Sequence, residues 1–275
     1  MPEVSVDRYA VIGHPVEHSK SPLIHAAFAQ QTGQQIEYGK ILAPLDGFAA
    51  TVASLREQGY AGANVTVPFK FEAYALATEL TERARVAGAV NTLSFKGSDI
   101  LGDNTDGVGL VRDIEHNLAV PLAGKRVLLL GAGGAAEGVL GPLLATMPSR
   151  LCIANRSVSK AESMVARAKP VDVLLEACSF EALAGQVFDV VINATSSGLS
   201  NERLPLTAGL FADGALAYDM VYGRETPFMQ YAREEGVRQI ADGLGMLVEQ
   251  AAEAFYLWRQ VRPQTAPVMT MMRAL

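Results

Sequence analysis

Two cysteines in 275 residues are too few to staple a fold of this size, and Cys152 and Cys178 show neither Cys-x-x-Cys nor histidine spacing. They read as buried thiols, which excludes a disulfide framework, a thiol-based metal site and a cysteine nucleophile. No metal is expected. Apolar runs also fall short of the ~18 residues that a membrane-spanning helix requires, and residues 1–9 lack the apolar stretch of a secretory signal, so a cytoplasmic protein is expected. Basic clusters are missing as well. With a net charge of −6, the chain has no general surface for nucleic acid or for an acidic membrane. Internal repeats and low-complexity segments are absent. What is present is 49% hydrophobic and only 19% charged residues, enough apolar material to bury the core of one large or two ordinary domains.

The most informative segment is Arg126-Val127-Leu128-Leu129-Leu130-Gly131-Ala132-Gly133-Gly134-Ala135-Ala136, an apolar strand running into Gly-x-Gly-x-x-Ala. Such a turn presents backbone N–H groups to a pyrophosphate. Context carries the reading: residues 137–145 have helical character, and 150–154 form a second apolar strand about twenty residues on. That strand ends in Asn155-Arg156-Ser157, with no acid to hold a ribose 2′-hydroxyl. Arg156 can instead pair with a 2′-phosphate, which points to NADP as the cofactor.

Ahead of this motif, strand and helix patterns alternate: strands over 9–13, 36–43 and 62–67, helices over 22–31, 48–58 and 71–84. Residues 90–95 and 100–101 read as a hairpin, 108–118 as a helix and 121–125 as a linker. Behind it come strands over 171–175, 188–194, 215–222 and 237–240, a helix over 226–235, and a helical tail over 244–258 with few charges that must pack on something. The fold class is therefore α/β in two domains, a small α/β domain followed by a Rossmann-like one, suited to bringing a small substrate and a nicotinamide together in a cleft.

Polar clusters interrupt the first domain where loops are expected: Gly13-His14-Pro15-Val16-Glu17-His18-Ser19-Lys20-Ser21-Pro22, Gly62-Ala63-Asn64-Val65-Thr66-Val67-Pro68-Phe69-Lys70, Ala87-Gly88-Ala89-Val90-Asn91-Thr92 and Gly102-Asp103-Asn104-Thr105-Asp106-Gly107. Others follow the glycine turn: Asn155-Arg156-Ser157-Val158-Ser159-Lys160, Asn193-Ala194-Thr195-Ser196-Ser197-Gly198, Tyr218-Asp219-Met220-Val221-Tyr222 and Ala241-Asp242-Gly243-Leu244-Gly245-Met246-Leu247-Val248-Glu249-Gln250. Singly, each has a bland explanation as a cap, a strand residue or a turn. Together and in this order, over nearly the whole chain, they resemble the shikimate dehydrogenase family.

The resemblance implies reversible reduction of 3-dehydroshikimate to shikimate by NADPH. It implies a substrate and catalytic domain of residues 1–106 plus 243–275 and an NADP-binding domain of residues 107–242. Ser19, Ser21 and Tyr222 would lie at the substrate carboxylate, Asn91, Asp106 and Gln250 toward its hydroxyl edge, with Asn64 and Thr66 completing the set of neutral donors and acceptors that a triol carboxylate needs. Lys70 is the expected acid/base group with Asp106 orienting it, although sequence does not say which of the two moves the proton. Gly131, Ala132, Gly133, Gly134 and Ala135 would surround the pyrophosphate, and Asn155, Arg156, Ser157 and Lys160 the 2′-phosphate. Thr195, Met220 and Gly243 would flank the ribose and nicotinamide, and Glu82 is a further cofactor contact carried over from the family.

Two departures stand out. Glu137 occupies a position that is commonly basic in the family, and Lys160 one where arginine is frequent, so a weaker positive field around the phosphate is expected. Within the fold, the rival is an NAD-using quinate/shikimate dehydrogenase, which would carry an acid after residue 154 or threonine in place of Ser21. From another class, the rival is a silent nucleotide-binding sensor, against which the presence of both Lys70 and Asp106 argues. The implied partner is a small molecule, with neither nucleic acid nor membrane involved, and the chain is expected as a monomer or homodimer.

Overall fold

The computed structural model describes residues 6–168 and 172–275. It divides into two units, Met1–Gly109 with Val248–Leu275, and Leu110–Leu247. The division falls inside two helices rather than in the 121–125 segment, where Leu122 is fully buried in the core of the second unit. Of the stretch 1–9 read for a signal, residues 1–5 lie outside the described part.

The first unit alternates β1 (Asp7–Gly13), α1 (Ser21–Thr32), β2 (Ile36–Leu42), α2 (Phe48–Glu57), β3 (Tyr60–Val65), α3 (Lys70–Leu76), β4 (Glu79–Leu80), α4 (Glu82–Ala87), β5 (Thr92–Lys96), β6 (Asp99–Asp103) and the start of α5 (Asp106–Arg112). Its six strands are ordered β2-β1-β3-β5-β6-β4. β1 lies parallel to β2 and β3, whereas β5 and β6 form the expected antiparallel hairpin, closed at Lys96–Asp99 around Gly97 at φ 59°. One helix was expected over 71–84, and two short ones are found. Ala77 leaves the helical region at ψ 131°, and the Thr78 hydroxyl accepts from the Ile100 N–H at 2.8 Å. Thr81 then caps α4 by accepting from the Ala84 N–H at 3.3 Å. Threonine side chains that bond backbone groups compete with a helix that apolar spacing alone would continue. Lys70 is the first residue of α3.

Beneath the sheet, His25 is fully buried between aromatic rings, stacked on Tyr38 at 4.2 Å. Burial pushes its pKa down from 6.5 to about 3. The unfolded chain therefore binds this proton first. Stability is full above pH 6.5 and is lost as pH falls toward 3. Urea unfolding should show a loss of about 2 kcal/mol between pH 7 and pH 5 in the wild type. His25→Phe should flatten that dependence, and an unchanged slope in the variant would acquit the imidazole.

The second unit runs from within α5, through a π-type turn at Asp113–Asn117, into β7 (Arg126–Leu130), α6 (Gly134–Ala145), β8 (Arg150–Ala154), α7 (Val158–Ala168), β9 (Leu174–Cys178), β10 (Phe188–Asn193), α8 (Ser197–Ser200), β11 (Phe211–Asp219), α9 (Pro227–Glu234) and β12 (Gln239–Asp242). α10 (Leu244–Arg259) and α11 (Ala266–Arg273) close the chain, and from Val248 onward α10 belongs to the first unit. The strand expected at 171–175 lies at Leu174–Cys178, and Val171 is outside the described residues. The strands here pair in parallel, in the doubly wound order β12-β11-β10-β7-β8-β9. Val127 and Leu129 enter one core and Leu128 and Leu130 the other, which is why β7 reads as an unbroken apolar run. Cys152 and Cys178, on neighbouring strands, are free thiols with sulfurs 3.2 Å apart. Among the described residues no helix is long and apolar enough to cross a membrane.

Candidate active site

In the first unit the chemistry collects where β3 and β6 end and β5 begins. Lys70, at the start of α3, reaches back so that its Nζ lies 2.5 Å from Asp106 Oδ2 at the start of α5. α3 is anchored there by the Val90 N–H, which donates to the Lys70 carbonyl at 2.9 Å. The other Asp106 oxygen accepts from Asn91 Nδ2 at 2.8 Å. The same amide lies 2.9 Å from Thr105 Oγ1 and 3.4 Å from Gln250 Oε1 of α10. Asn64, at the end of β3, is buried and donates to the Asn91 carbonyl at 3.3 Å. The structure therefore brings Lys70, Asp106, Asn64, Asn91 and Gln250 into one hydrogen-bonded set.

Ser19 and Ser21 sit together at the mouth of α1, with hydroxyls 3.2 Å apart. Lys20, not either serine, occupies the N-cap position, and no side chain caps this helix. Thr66 follows β3 and is tied by its N–H to the Ile12 carbonyl at 2.9 Å. Glu82 lies in the first turn of α4, 83% exposed and 3.4 Å from Arg85.

A neighbouring carboxylate is neutralised independently. Burial alone would raise the Asp103 carboxyl, but two hydrogen bonds from Arg83 at 2.6 Å, the Arg83 charge, Thr81 and the Asn104 N–H hold it below its usual range. Asp103 thus serves to fix the loop that carries Thr105 and Asp106.

In the second unit the strand order reverses between β7 and β10, the place where doubly wound sheets bind ligands. Gly131 follows β7 at φ 107°, and a Cβ there would lie 3.1 Å from Thr195 Cγ2. Only glycine suits both the dihedral and the space. Gly133 precedes α6, and a Cβ on it would meet nothing within 4 Å. No side chain caps α6, and the first-turn N–H groups of Gly134, Ala135 and Ala136, next to Ala132 and the exposed Gly133, are an arrangement that fits a pyrophosphate. Glu137 does not leave an unopposed charge in that turn, because Arg167 of α7 pairs with it.

Asn155, Arg156 and Ser157 form the bend between β8 and α7, with Lys160 in the first turn of that helix. Arg156 is 87% exposed, and its ion pair to Glu202 is loose at 3.7 Å. An exposed guanidinium beside a helix N-terminus fits a phosphate monoester.

Sequence reasoning gave no role to Asn193 and Asp219, which end β10 and β11 as buried polar residues after apolar runs. Asp219 accepts from Asn193 Nδ2 at 3.0 Å and from Thr226 Oγ1 at 2.5 Å. Asn193 Oδ1 in turn accepts from the Thr195 hydroxyl at 2.7 Å, and its carbonyl from the Met220 N–H at 3.0 Å. A polar residue closing an apolar strand is the signal that could have found them. Gly243 packs against this loop so closely that a Cβ would fall 2.1 Å from the Met220 carbonyl oxygen. Tyr222 follows β11 half-buried, with its hydroxyl pushed upward in pKa by burial.

Three family profiles match the chain: "Shikimate dehydrogenase substrate binding domain" over residues 11–93, "Shikimate / quinate 5-dehydrogenase" over 113–201 and "Shikimate 5'-dehydrogenase C-terminal domain" over 243–275. A shikimate dehydrogenase (NADP(+)) of Methylobacillus flagellatus is 77% identical, covering 98% of this chain and 100% of the relative. Among solved structures, an Ael1 enzyme from Pseudomonas putida is similar at TM-score 0.91 and 50% identity, covering 96% of this chain and 97% of that one. The shikimate 5-dehydrogenase of Thermus thermophilus, crystallised with NADP(H) and shikimate, is similar at TM-score 0.86 and 31% identity, covering 98% of this chain and 100% of that one.

Proposed function

Since the chain belongs to the shikimate dehydrogenase family, we propose that Lys70 and Asp106 are the pair on which its chemistry turns. The enzyme is an NADP-dependent oxidoreductase that reversibly reduces 3-dehydroshikimate to shikimate, a step of the shikimate pathway. The observation that carries the residue assignment is the 2.5 Å contact between Lys70 Nζ and Asp106 Oδ2, ringed by neutral amides and hydroxyls. NADPH, when bound, supplies the hydride. Lys70 gives a proton to the oxygen of the reacting carbon as the ketone becomes an alcohol, and takes it back in the reverse direction. Asp106 orients the ammonium and accepts from the reacting hydroxyl. Asn64, Asn91 and Gln250 supply uncharged donors and acceptors for the remaining hydroxyls, while Ser19, Ser21, Thr66 and Tyr222 serve the carboxylate end and its surroundings.

On the cofactor side, Gly131 to Ala135 hold the pyrophosphate, and Asn155, Arg156, Ser157 and Lys160 the 2′-phosphate. Thr195, Met220 and Gly243 flank the ribose and nicotinamide, with Glu82 as a further contact. The acidic, cysteine-poor chain, whose two thiols are free, supports a cytoplasmic enzyme, and a monomer or homodimer is proposed.

The test is absorbance of reduced cofactor with purified protein, shikimate or quinate, and NADP or NAD. Fast reduction confined to shikimate plus NADP is expected. Comparable turnover of quinate or of NAD would move the protein to dual specificity, and silence in every combination would overturn the assignment.

A further inference from the structure

Asn64 and Thr92 face each other across the β3–β5 pair, so their side chains share one face of the sheet. Two backbone groups set the polarity of everything attached to them. The Asn91 carbonyl can only accept, which fixes the neighbouring end of Asn64 as its amide nitrogen, at 3.3 Å. The Thr105 N–H can only donate, which fixes Asn91 Oδ1 as its acceptor at 2.9 Å and turns Asn91 Nδ2 toward Asp106. Thr92 Oγ1 bridges the two carboxamides. It accepts from Asn64 Nδ2 at 3.1 Å and donates its single proton to Asn91 Oδ1 at 2.9 Å. At the far end the Tyr38 hydroxyl donates to Asn64 Oδ1 at 2.6 Å. The result is one directed chain, Tyr38 to Asn64 to Thr92 to Asn91 to Asp106, whose last oxygen faces Lys70.

Thr92 is fully buried and stands in the middle of this chain. We propose that Thr92, supported by Tyr38, is a positioning residue for the reaction: through its two hydrogen bonds it locks the Asn64 and Asn91 carboxamides, and with them Asp106, in the orientation that receives a polyhydroxy keto acid. The inference rests on the reaction proposed above. Buried networks of this kind specify a single arrangement when every member is satisfied and lose it when one is removed. A threonine that merely filled the strand would affect stability alone.

The experiment compares Thr92→Val, which replaces the hydroxyl by a methyl of nearly equal size, with Thr92→Ser, which keeps it, and with Tyr38→Phe. Turnover numbers and Michaelis constants are measured for shikimate and NADP, with unfolding midpoints alongside. Thr92→Val is expected to raise KM for shikimate about tenfold and to lower kcat severalfold, with KM for NADP unchanged. Thr92→Ser should stay within about twofold of the wild type, and Tyr38→Phe should move in the same direction as Thr92→Val by a smaller factor. Should Thr92→Val fail to fold, Tyr38→Phe decides. Wild-type constants in Thr92→Val or Tyr38→Phe, equal impairment of Thr92→Val and Thr92→Ser, or a parallel rise in KM for NADP would each overturn the inference. In those cases the wild type still oxidises shikimate and the reaction stands; a wild type that leaves shikimate untouched overturns the reaction and the inference together.

Discussion

Lys70→Ala is expected to lower kcat by about a thousandfold and to leave shikimate affinity within about threefold, because a positioned acid/base group contributes on the order of 100- to 10,000-fold to proton transfer. The geometry explains the split between the two constants. Asp106 accepts from Asn91 at 2.8 Å independently of Lys70, so the amides that recognise hydroxyls should keep their orientation in the variant. The Lys70 side chain is 21% exposed but that of Asp106 only 10%, so the variant leaves a nearly buried carboxylate without its ion pair, and unfolding midpoints measured alongside the kinetics separate the resulting loss of stability from the loss of chemistry. Lys70→Arg is the informative companion. It keeps the charge beside Asp106 but replaces a group that can exchange its proton by one that does not, so turnover should remain low. Steady-state kinetics with calorimetric titration of shikimate separates the outcomes. Near-normal turnover in Lys70→Ala would remove it from the chemistry, and a large loss of binding with kcat intact would make it a binding residue.

Arg156→Ala is expected to raise KM for NADP by about thirtyfold while leaving that for NAD within about twofold, the signature of a charge-assisted contact to a group only one of them carries. In the structure the guanidinium is almost fully exposed, and Glu202, itself 62% exposed, is an ion-pair partner worth little at 3.7 Å. Little therefore has to be broken for Arg156 to meet a phosphate. Lys160 in the first turn of α7 keeps part of the positive field in the variant, so the loss should grow when Lys160→Ala is added. Both effects should shrink at high salt, since exposed charges are screened. Equal changes for NADP and NAD would show that Arg156 shapes the turn without reading the 2′-phosphate. The charge of Glu137 argued for a weaker phosphate field, and in the structure that carboxylate is paired with Arg167 of the next helix.

The sequence by itself determined what depends on local chemistry. Val127 to Leu130 must be a strand buried on both faces, and the glycines after it must turn the chain, because no other residue takes φ 107° against Thr195. The missing acid and the presence of Arg156 were readable for the same reason: the choice of cofactor is made at one bend between a strand and a helix. Most strands and helices followed from period and punctuation, which are properties of neighbours along the chain.

Only the tertiary structure decided matters that depend on residues far apart. Periodicity carried one helix across residues 71–84, but Thr78 bonds Ile100 and Thr81 caps a new helix, so the chain breaks between them. The 121–125 segment looked like a boundary by composition, and its Leu122 is buried in a core assembled from strands remote in sequence. Lys70 and Asp106, 36 positions apart, meet because β3 and β6 end beside the start of β5. Asn193, Asp219 and Thr92 are ordinary letters until strand register sets Asn193 opposite Asp219 and Thr92 opposite Asn64. Register is a property of the whole sheet, and hydrogen bonds between side chains form only after it is fixed.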